Sequence, residues 1–420
     1  MQTNFKLKSL LTVLQITLFS ALPLYAQTDR LNNLEHRMQQ LENSNRSENR
    51  MRVTGYIQPQ FSWGEKDARL RIGAPNENPE KSFNRIGIRE GHISAFFQDG
   101  IVLANVQVDL TERAIGVRNL FLQLNDPVWG TNSMRTGIFI LPFGHDAGCS
   151  SATRYSPERS TIIQHLFPGE RDLGAMFTLQ APQNSSWSIF RLDAGVLSGN
   201  GRNAAVDSRM NFVGRLSAQG NILNAGFSGG LSHYRGGVFQ GTENVYTMNG
   251  LGFERNSNFG NIGRYAKREY FGADVQVRFL TRLGTTRFRA EYIFGQQPGA
   301  ENSSISPNTN HQPNYDTFIR PVSGGYLLLV QDLGRLPVSA VFKYDWYNPN
   351  TAVSGSDIGL NNTGKTDLLR TAYGFGLVWN IMPNKVRLKA YYEIVRKEAS
   401  HNINHNFKGD SFTLRLQYRF

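Results

Sequence analysis

Apolar and polar residues alternate along this chain with a period of two, and that rhythm restricts its fold more than any other feature. The last ten residues carry it most cleanly. Phe412, Leu414, Leu416, Tyr418 and Phe420 fall on one side of an extended strand, and Thr413, Arg415, Gln417 and Arg419 on the other. In 51–63, Val53, Ile57, Phe61 and Trp63 are interleaved with Arg52, Thr54, Gln58, Gln60 and Ser62. The alternation returns in 102–110, 268–279, 288–294, 338–346, 372–380 and 386–394. With weaker candidates filled in, it predicts roughly sixteen strands of about nine to eleven residues, the length a tilted strand needs to cross a bilayer. Taken singly, each strand also fits the half-buried sheet of a soluble β protein.

The connections separate these two folds. Those after even-numbered strands are short and turn-like: 98–100, 181–185, 220–221, 334–337 and 382–384. Those after odd-numbered strands are mostly long: 64–82, 142–171, 234–267, 296–321, 347–368 and 396–409. A sandwich has no reason to sort its loops by parity, whereas a membrane barrel has short turns at one rim and long loops at the other. Trp63 and Trp346 end upward strands, Trp187 and Trp379 lie at the short-turn rim, and Trp129 lies in a turn. All five therefore sit near the expected water interfaces, where an amphipathic ring is favoured.

The start of the chain reads as a leader. Lys6 and Lys8 precede an apolar stretch, 10–22, too short to span a bilayer, followed by Pro23 and a cut site after Ala26. The expectation is a signal peptide over 1–26 and export from the cytoplasm. In 27–50, Leu31, Leu34, Met38 and Leu41 trace a heptad seam that is marginal as an isolated helix. This segment reads either as a periplasmic helical or coiled-coil element that helps trimers form, or as a disordered leader. Past the leader no apolar run is long enough for a helical span.

Charge narrows the function. The chain holds 45 basic and 33 acidic residues, a formal net charge of +12, or 12 − 2 = +10 without Lys6 and Lys8. The bases are spread singly along alternating strands rather than gathered on one patch, which argues against nucleic acid. Spread this way they line a cavity, and a low-dielectric tube focuses their field on anions. The expected arrangement is an oily belt outside and a wet, cationic wall within. A mean hydropathy of −0.39 fits it, because only alternate residues meet lipid. Cys149 is the single cysteine and reads as a loop thiol rather than a nucleophile.

Two resemblances sharpen this picture. The aromatic end at Phe420 is similar to the assembly signal of bacterial outer-membrane β-barrels, whose last strand closes the cylinder. Residues 135–144 (RTGIFILPFG), 155–160 (YSPERS) and 167–177 (FPGERDLGAMF) resemble the central signature of the phosphate-selective porin O and P family. Residues 190–201 (FRLDAGVLSGNG), 214–216 (GRL), 270–276 (YFGADVQ) and 290–295 (AEYIFG) fit later blocks in the same order. The resemblance implies an all-β, 16-stranded, trimeric transmembrane barrel over 51–420, whose third external loop, 142–171, folds inward to narrow the pore. Phosphate-specific members use lysines, one of them on that loop, to make a central anion site. Residues 142–171 contain no lysine, so that site is not carried over.

Elementary chemistry picks out the candidate residues. Pro142 ends the fifth strand, Gly144 lets the chain turn inward, and Phe143 lies between them at the constriction. A loop of about thirty residues is too long for a passive connection. It carries Arg154, Arg159 and Arg171, whose planar guanidiniums match phosphate or carboxylate oxygens. Arg159 and Arg171 can equally pair with Glu158, Glu170 or Asp172 and pin the loop. Arg154 lacks an adjacent acid and is the stronger pore-facing candidate. Parity assigns Arg215, Arg278, Arg287, Arg289, Lys343, Arg387, Lys389 and Arg415 to the lumen, since facing lipid at midplane costs about 2–4 kcal/mol each. Asp274, Glu291, Asp345 and Glu393 share that face.

These readings predict a passive outer-membrane channel for small anionic solutes (phosphate or polyphosphate among them) or polar ones. It would be a homotrimer in contact with lipid and, through Phe420, with the assembly machinery. No chemical step, cofactor or metal is implied. The alternative is a plugged barrel acting through loops 234–267 and 296–321 as a ligand-binding or adhesive surface protein. A barrel hydrolase would need Ser, His and an acid converging at a rim, and no nucleophile motif surrounds Ser150, Ser151 and His145.

Overall fold

A computed structural model describes residues 50–403 and 406–420. The expected signal peptide over 1–26 and the heptad seam within 27–49 lie outside the described residues.

The alternating segments form a single sheet that closes on itself. The first nine strands are β1 (Met51–Gly64), β2 (Phe83–Asp99), β3 (Val102–Leu110), β4 (Ile115–Asn125), β5 (Ser133–Ile140), β6 (Arg171–Gln180), β7 (Phe190–Leu197), β8 (Asn211–Ile222) and β9 (Ala225–Phe239). A small hairpin follows, β10 (Asn244–Asn249) and β11 (Gly252–Ser257). The rest are β12 (Tyr265–Thr281), β13 (Gly284–Gly299), β14 (Thr317–Asp332), β15 (Val338–Asn348), β16 (Arg370–Met382), β17 (Val386–Lys397) and β18 (Ser411–Arg419). The hairpin stands outside the wall, because β9 pairs with β12, Tyr234 opposite Tyr270. The other 16 strands make a closed antiparallel barrel. β1 seals it against β18, with Tyr56 opposite Arg419 and Trp63 opposite Phe412. Phe420 completes the seam, its N–H and C=O each bonded to Gly55 at 3.0 Å.

Exposure follows parity. On β12, Phe271, Val275 and Phe279 face out and stay exposed, while Tyr270 and Asp274 face in and are buried. Leu120, Leu122 and Leu124 on β4, and Phe375, Leu377 and Trp379 on β16, are likewise exposed. Rows of large apolar side chains left open are stable against lipid rather than water. A closed wall also leaves no unpaired strand edge, as a bilayer demands. The barrel therefore spans a membrane.

Two expectations need correction. Several strands run well past nine to eleven residues: β2 and β12 have 17, and β13 and β14 have 16. Parts of 296–321, read as loop, stay in the β13–β14 ladder, with Gln296 opposite Pro321 and Pro298 opposite Ile319. Beyond the lipid nothing enforces alternation, so its loss does not mark where pairing stops. Within 234–267, β9 continues to Phe239, and the hairpin docks in parallel on β14, stacking Tyr246 on Phe318 at 4.2 Å.

The second correction concerns the interior, which is not wet throughout. Leu197, Val213, Tyr234, Tyr270, Ile293, Val322 and Tyr347 point inward and are buried in one apolar cluster. They are dry because the chain between β5 and β6 lies against them.

Candidate permeation site

Between β5 and β6 the chain leaves the wall and enters the barrel. The N–H of Leu141 donates to the carbonyl of Glu170 at 3.0 Å, closing the neck of the loop. Gly144 makes the inward turn at φ +63°, and a Cβ there would collide with the carboxylate of Glu291. A short helix, α1 (Thr161–Leu166), forms on the return limb. Phe143, Ile162, Ile163, Leu166 and Phe167 bury themselves against the inward apolar residues of the wall. Each contributes about 1.5–3 kcal/mol relative to standing in water. Phe167 meets Tyr234 and Tyr270 edge-on at 5.4 and 5.5 Å.

A loop inside a barrel has no strand to satisfy its backbone, so side chains from the wall do it. Glu291 accepts the N–H groups of His145 and Asp146 at 3.2 and 2.9 Å. Asp345 accepts the N–H of Thr161 at 3.0 Å and the ammonium of Lys343 at 3.0 Å. Arg268 donates to the Leu166 carbonyl at 2.7 Å, and Lys389 to the Arg154 carbonyl at 2.6 Å. Arg415 donates to the Pro157 carbonyl at 2.9 Å and to Glu158 at 2.7 Å.

The sequence-predicted residues thus divide into groups. Arg159 bonds Glu170 at 2.6 Å and the Cys149 carbonyl at 2.7 Å. Arg171 bonds Asn119 at 2.6 Å and Glu170 at 3.2 Å, and Arg215 forks onto Asp274 at 2.5 and 3.0 Å. These three pin the framework. Lys343, Lys389 and Arg415 lie on the interior face but are covered by the loop; Lys389 and Arg415 are each 1% exposed.

Arg154, the expected pore-facing charge, is 4% exposed. Its guanidinium touches the Pro157 carbonyl at 3.5 Å, and its Nε has no partner among the described residues. The loop turns its side chain inward, where Asp146 and Glu158 also lie. Burial pushes the Asp146 carboxyl up, but Lys343, Arg159 and Arg154 together hold it below its ordinary value. The Cys149 thiol is also pushed up by burial, while a hydrogen bond to His145 and the charges of Arg154 and Arg289 bring it down to about 7.

Arg287, Arg289 and Arg387 gather around Tyr155 of the loop, their guanidinium carbons 5.6, 5.7 and 5.8 Å from the ring centre. Arg287 is neutralised by Asp332 at 2.8 Å. Arg387 instead bonds Asn380 at 2.9 Å, and Arg289 reaches the Cys149 sulfur at 3.8 Å. Among the described residues, two of the three cations therefore have no acid on them. Ser151 lies on the Tyr56 hydroxyl at 2.8 Å and on Glu90, with no histidine among its partners in the described residues.

Two clefts flank the loop. The larger, about 420 Å³, opens among the long loops, lined by Arg69, Arg71, Lys343, Lys365, Arg370 and Lys397 together with Asp67, Glu158, Asp345 and Glu393. The smaller, about 240 Å³, includes Tyr56, His92, Arg118, Arg171 and Arg419. Arg159 lines both, so the loop stands between them. Sequence reasoning missed Arg69, Arg71, Lys365, Arg370 and Lys397, because they sit at strand ends and in loops where alternation assigns no face. Their closeness is felt at His165 on α1. Its burial, with Arg69, Arg370 and Arg71 nearby, pushes its pKa down to about 4.

No family model and no curated protein matches the chain. Solved structures do. The chain is similar to the outer membrane channel DcaP of Acinetobacter baumannii, with TM-score 0.53 and 8% identity over 88% of this chain and 97% of that one. The anion-selective porin from Comamonas acidovorans gives 0.53 and 10%, over 88% and 99%. Salmonella typhi OmpF in complex with daunomycin gives 0.54 and 10%, over 88% and 97%. At such identities the likeness is one of fold. It carries the porin barrel, not the phosphate-selective family. That fold and the oily outer belt place the chain in the bacterial outer membrane.

Proposed function

We propose that this protein is a passive diffusion channel of the outer membrane, assembled as a homotrimer and favouring small anions. The observation that carries the reading is the set of cations on both sides of the inward loop. Arg69, Arg71, Lys365 and Lys397 line one cleft beside Arg370, which Glu393 holds, and Arg419 lines the other beside Arg118 and Arg171, which share Glu170. Many of the acids nearby are already engaged: Glu158 by Arg89 and Arg415, Glu170 by Arg159, and Asp345 by Lys343. In a narrow, low-dielectric tube the cationic surplus raises the local anion concentration, while weak, distributed contacts allow release. The anion-selective porin from Comamonas acidovorans and the trimer form of Vibrio cholerae OmpT share the fold and support selectivity and assembly by analogy. Phosphate as the preferred solute rests on the sequence resemblance alone. General anion preference is the reading the geometry supports best.

The test is the reversal potential of the reconstituted protein under a KCl gradient. Anion bias is expected, fading at high ionic strength as the charges are screened. A cation-biased potential overturns the reading. A plugged barrel is the second reading, favoured by how tightly the loop is packed, and it predicts no stepwise conductance at all.

A further inference from the structure

Just above its apolar band the outer wall carries a cluster of charge on β9 and β12. On β12 the outward residues Phe271, Ala273, Val275, Val277 and Phe279 form an unbroken apolar run. Next towards the long-loop rim come Glu269 and Lys267. On β9 the outward series Phe227, Gly229, Leu231 gives way to His233 and Arg235. The register aligns the two changes: Leu231 is opposite Ala273, His233 opposite Phe271, Arg235 opposite Glu269, and Gly237 opposite Lys267.

Arg209, in the loop before β8, reaches the same patch. Its guanidinium lies 5.6 Å from the centre of the Tyr265 ring, and its Nε passes beside Gly237. Arg209, Arg235 and Lys267 thus share one area of the outer surface, and all three are exposed. Their opposing groups are few. Glu269 serves both Lys267 and His233, the latter at 3.2 Å, and Asp207 accepts the N–H of Arg209 at 2.8 Å. The Arg235 side chain makes no hydrogen bond or ion pair among the described residues, although Glu269 lies opposite it in the ladder. Three permanent cations against two acids leave the patch positive. His233, stacked on Phe271 at 4.6 Å, marks its lower edge.

An unpaired guanidinium on the lipid side of a barrel, at the top of the apolar band, lies where headgroups lie. Lipid phosphate is the anion available at that depth, and a guanidinium fork matches its oxygens. We propose that Arg209, Arg235 and Lys267 form a binding site for the phosphate of an outer-leaflet lipid headgroup, with Leu231 and Phe271 beneath it against the acyl chains. The site is independent of what passes through the pore.

The test titrates the detergent-solubilised full-length protein with bisphosphorylated lipid A, and with the same lipid stripped of phosphate, and counts bound lipid by native mass spectrometry. The phosphorylated lipid should be retained selectively. Arg235→Ala should weaken it about five-fold, and the combined Arg209→Ala, Arg235→Ala, Lys267→Ala variant roughly a hundred-fold, at about one such factor per charge. Arg113→Ala, an exposed cation elsewhere at the rim, should leave it unchanged. Excess inorganic phosphate should not displace it. Equal retention of the dephosphorylated lipid, undiminished binding by the triple variant, or displacement by inorganic phosphate each overturns the proposal. Should the triple variant fail to fold, Arg235→Ala carries the test alone.

Discussion

Replacing Asp345 with asparagine should loosen the inward loop at the start of its helix. The carboxylate accepts the N–H of Thr161 at 3.0 Å and the Lys343 ammonium at 3.0 Å, and the side chains of Lys343 and Asp345 are only 8% and 6% exposed. Asparagine can still accept the amide through its carbonyl oxygen, but it brings no charge. Lys343 is then left nearly buried at the edge of the larger cleft, with the Tyr326 ring at 5.4 Å and nearby Asp146 as counter-charge. Breaking a buried ion pair by removing one partner costs about 3–5 kcal/mol. Asp146 offsets part of this, so the lower end, about 3 kcal/mol, is expected. Adding Lys343→Met removes the stranded ammonium, and the double variant should return to within about 1 kcal/mol of the parent. Urea unfolding of the detergent-solubilised barrel, followed by tryptophan emission, measures these differences. Single-channel recording should show noisier and larger steps in the single variant than in the double. The reasoning fails if Asp345→Asn is neutral, or if Lys343→Met brings no recovery in its background.

Other outcomes follow from the same loop. Gly144→Val forces a β-branched residue to φ +63° and drives it into Glu291, so the loop should detach and conductance rise; unchanged steps would show that the inward turn does not depend on that residue. Arg154→Glu adds a carboxylate beside Asp146 and Glu158 and should move the reversal potential towards cations. An unmoved potential would place Arg154 outside the permeation path. Cys149, with its pKa at about 7, is thiolate above that pH and loses the charge as pH falls through it. Its alkylation rate should rise with a midpoint near pH 7, and His145→Ala should shift that midpoint upward. A midpoint near 9 in the parent protein would contradict the hydrogen bond to His145. An anionic thiosulfonate should also label Cys149 faster than a cationic one, since its approach is lined by arginines.

The barrel was legible in the sequence because alternation is a local property. Each strand's outward face must satisfy lipid on its own, residue by residue, and that requirement is written into 268–279 or 386–394 without reference to any other part of the chain. Loop parity is local too, and so is the turn at Pro142–Phe143–Gly144. Alternation faltered where its cause did. In β14, Leu327 and Leu329 face lipid while Tyr326, Leu328 and Val330 are buried inside, so the segment reads as one apolar run with no period.

What the tertiary structure decided is everything set by partners far apart in the chain. The burial of Arg154, the carbonyl groups that hold Lys389, and the cations of the larger cleft depend on where the loop comes to rest. The outer patch of Arg209, Arg235 and Lys267 depends on the register of β9 against β12. A two-residue period says which face a side chain takes on its own strand. It carries no information about which distant residue lies opposite that face, and charge compensation, pore width and ligand contact are all determined there.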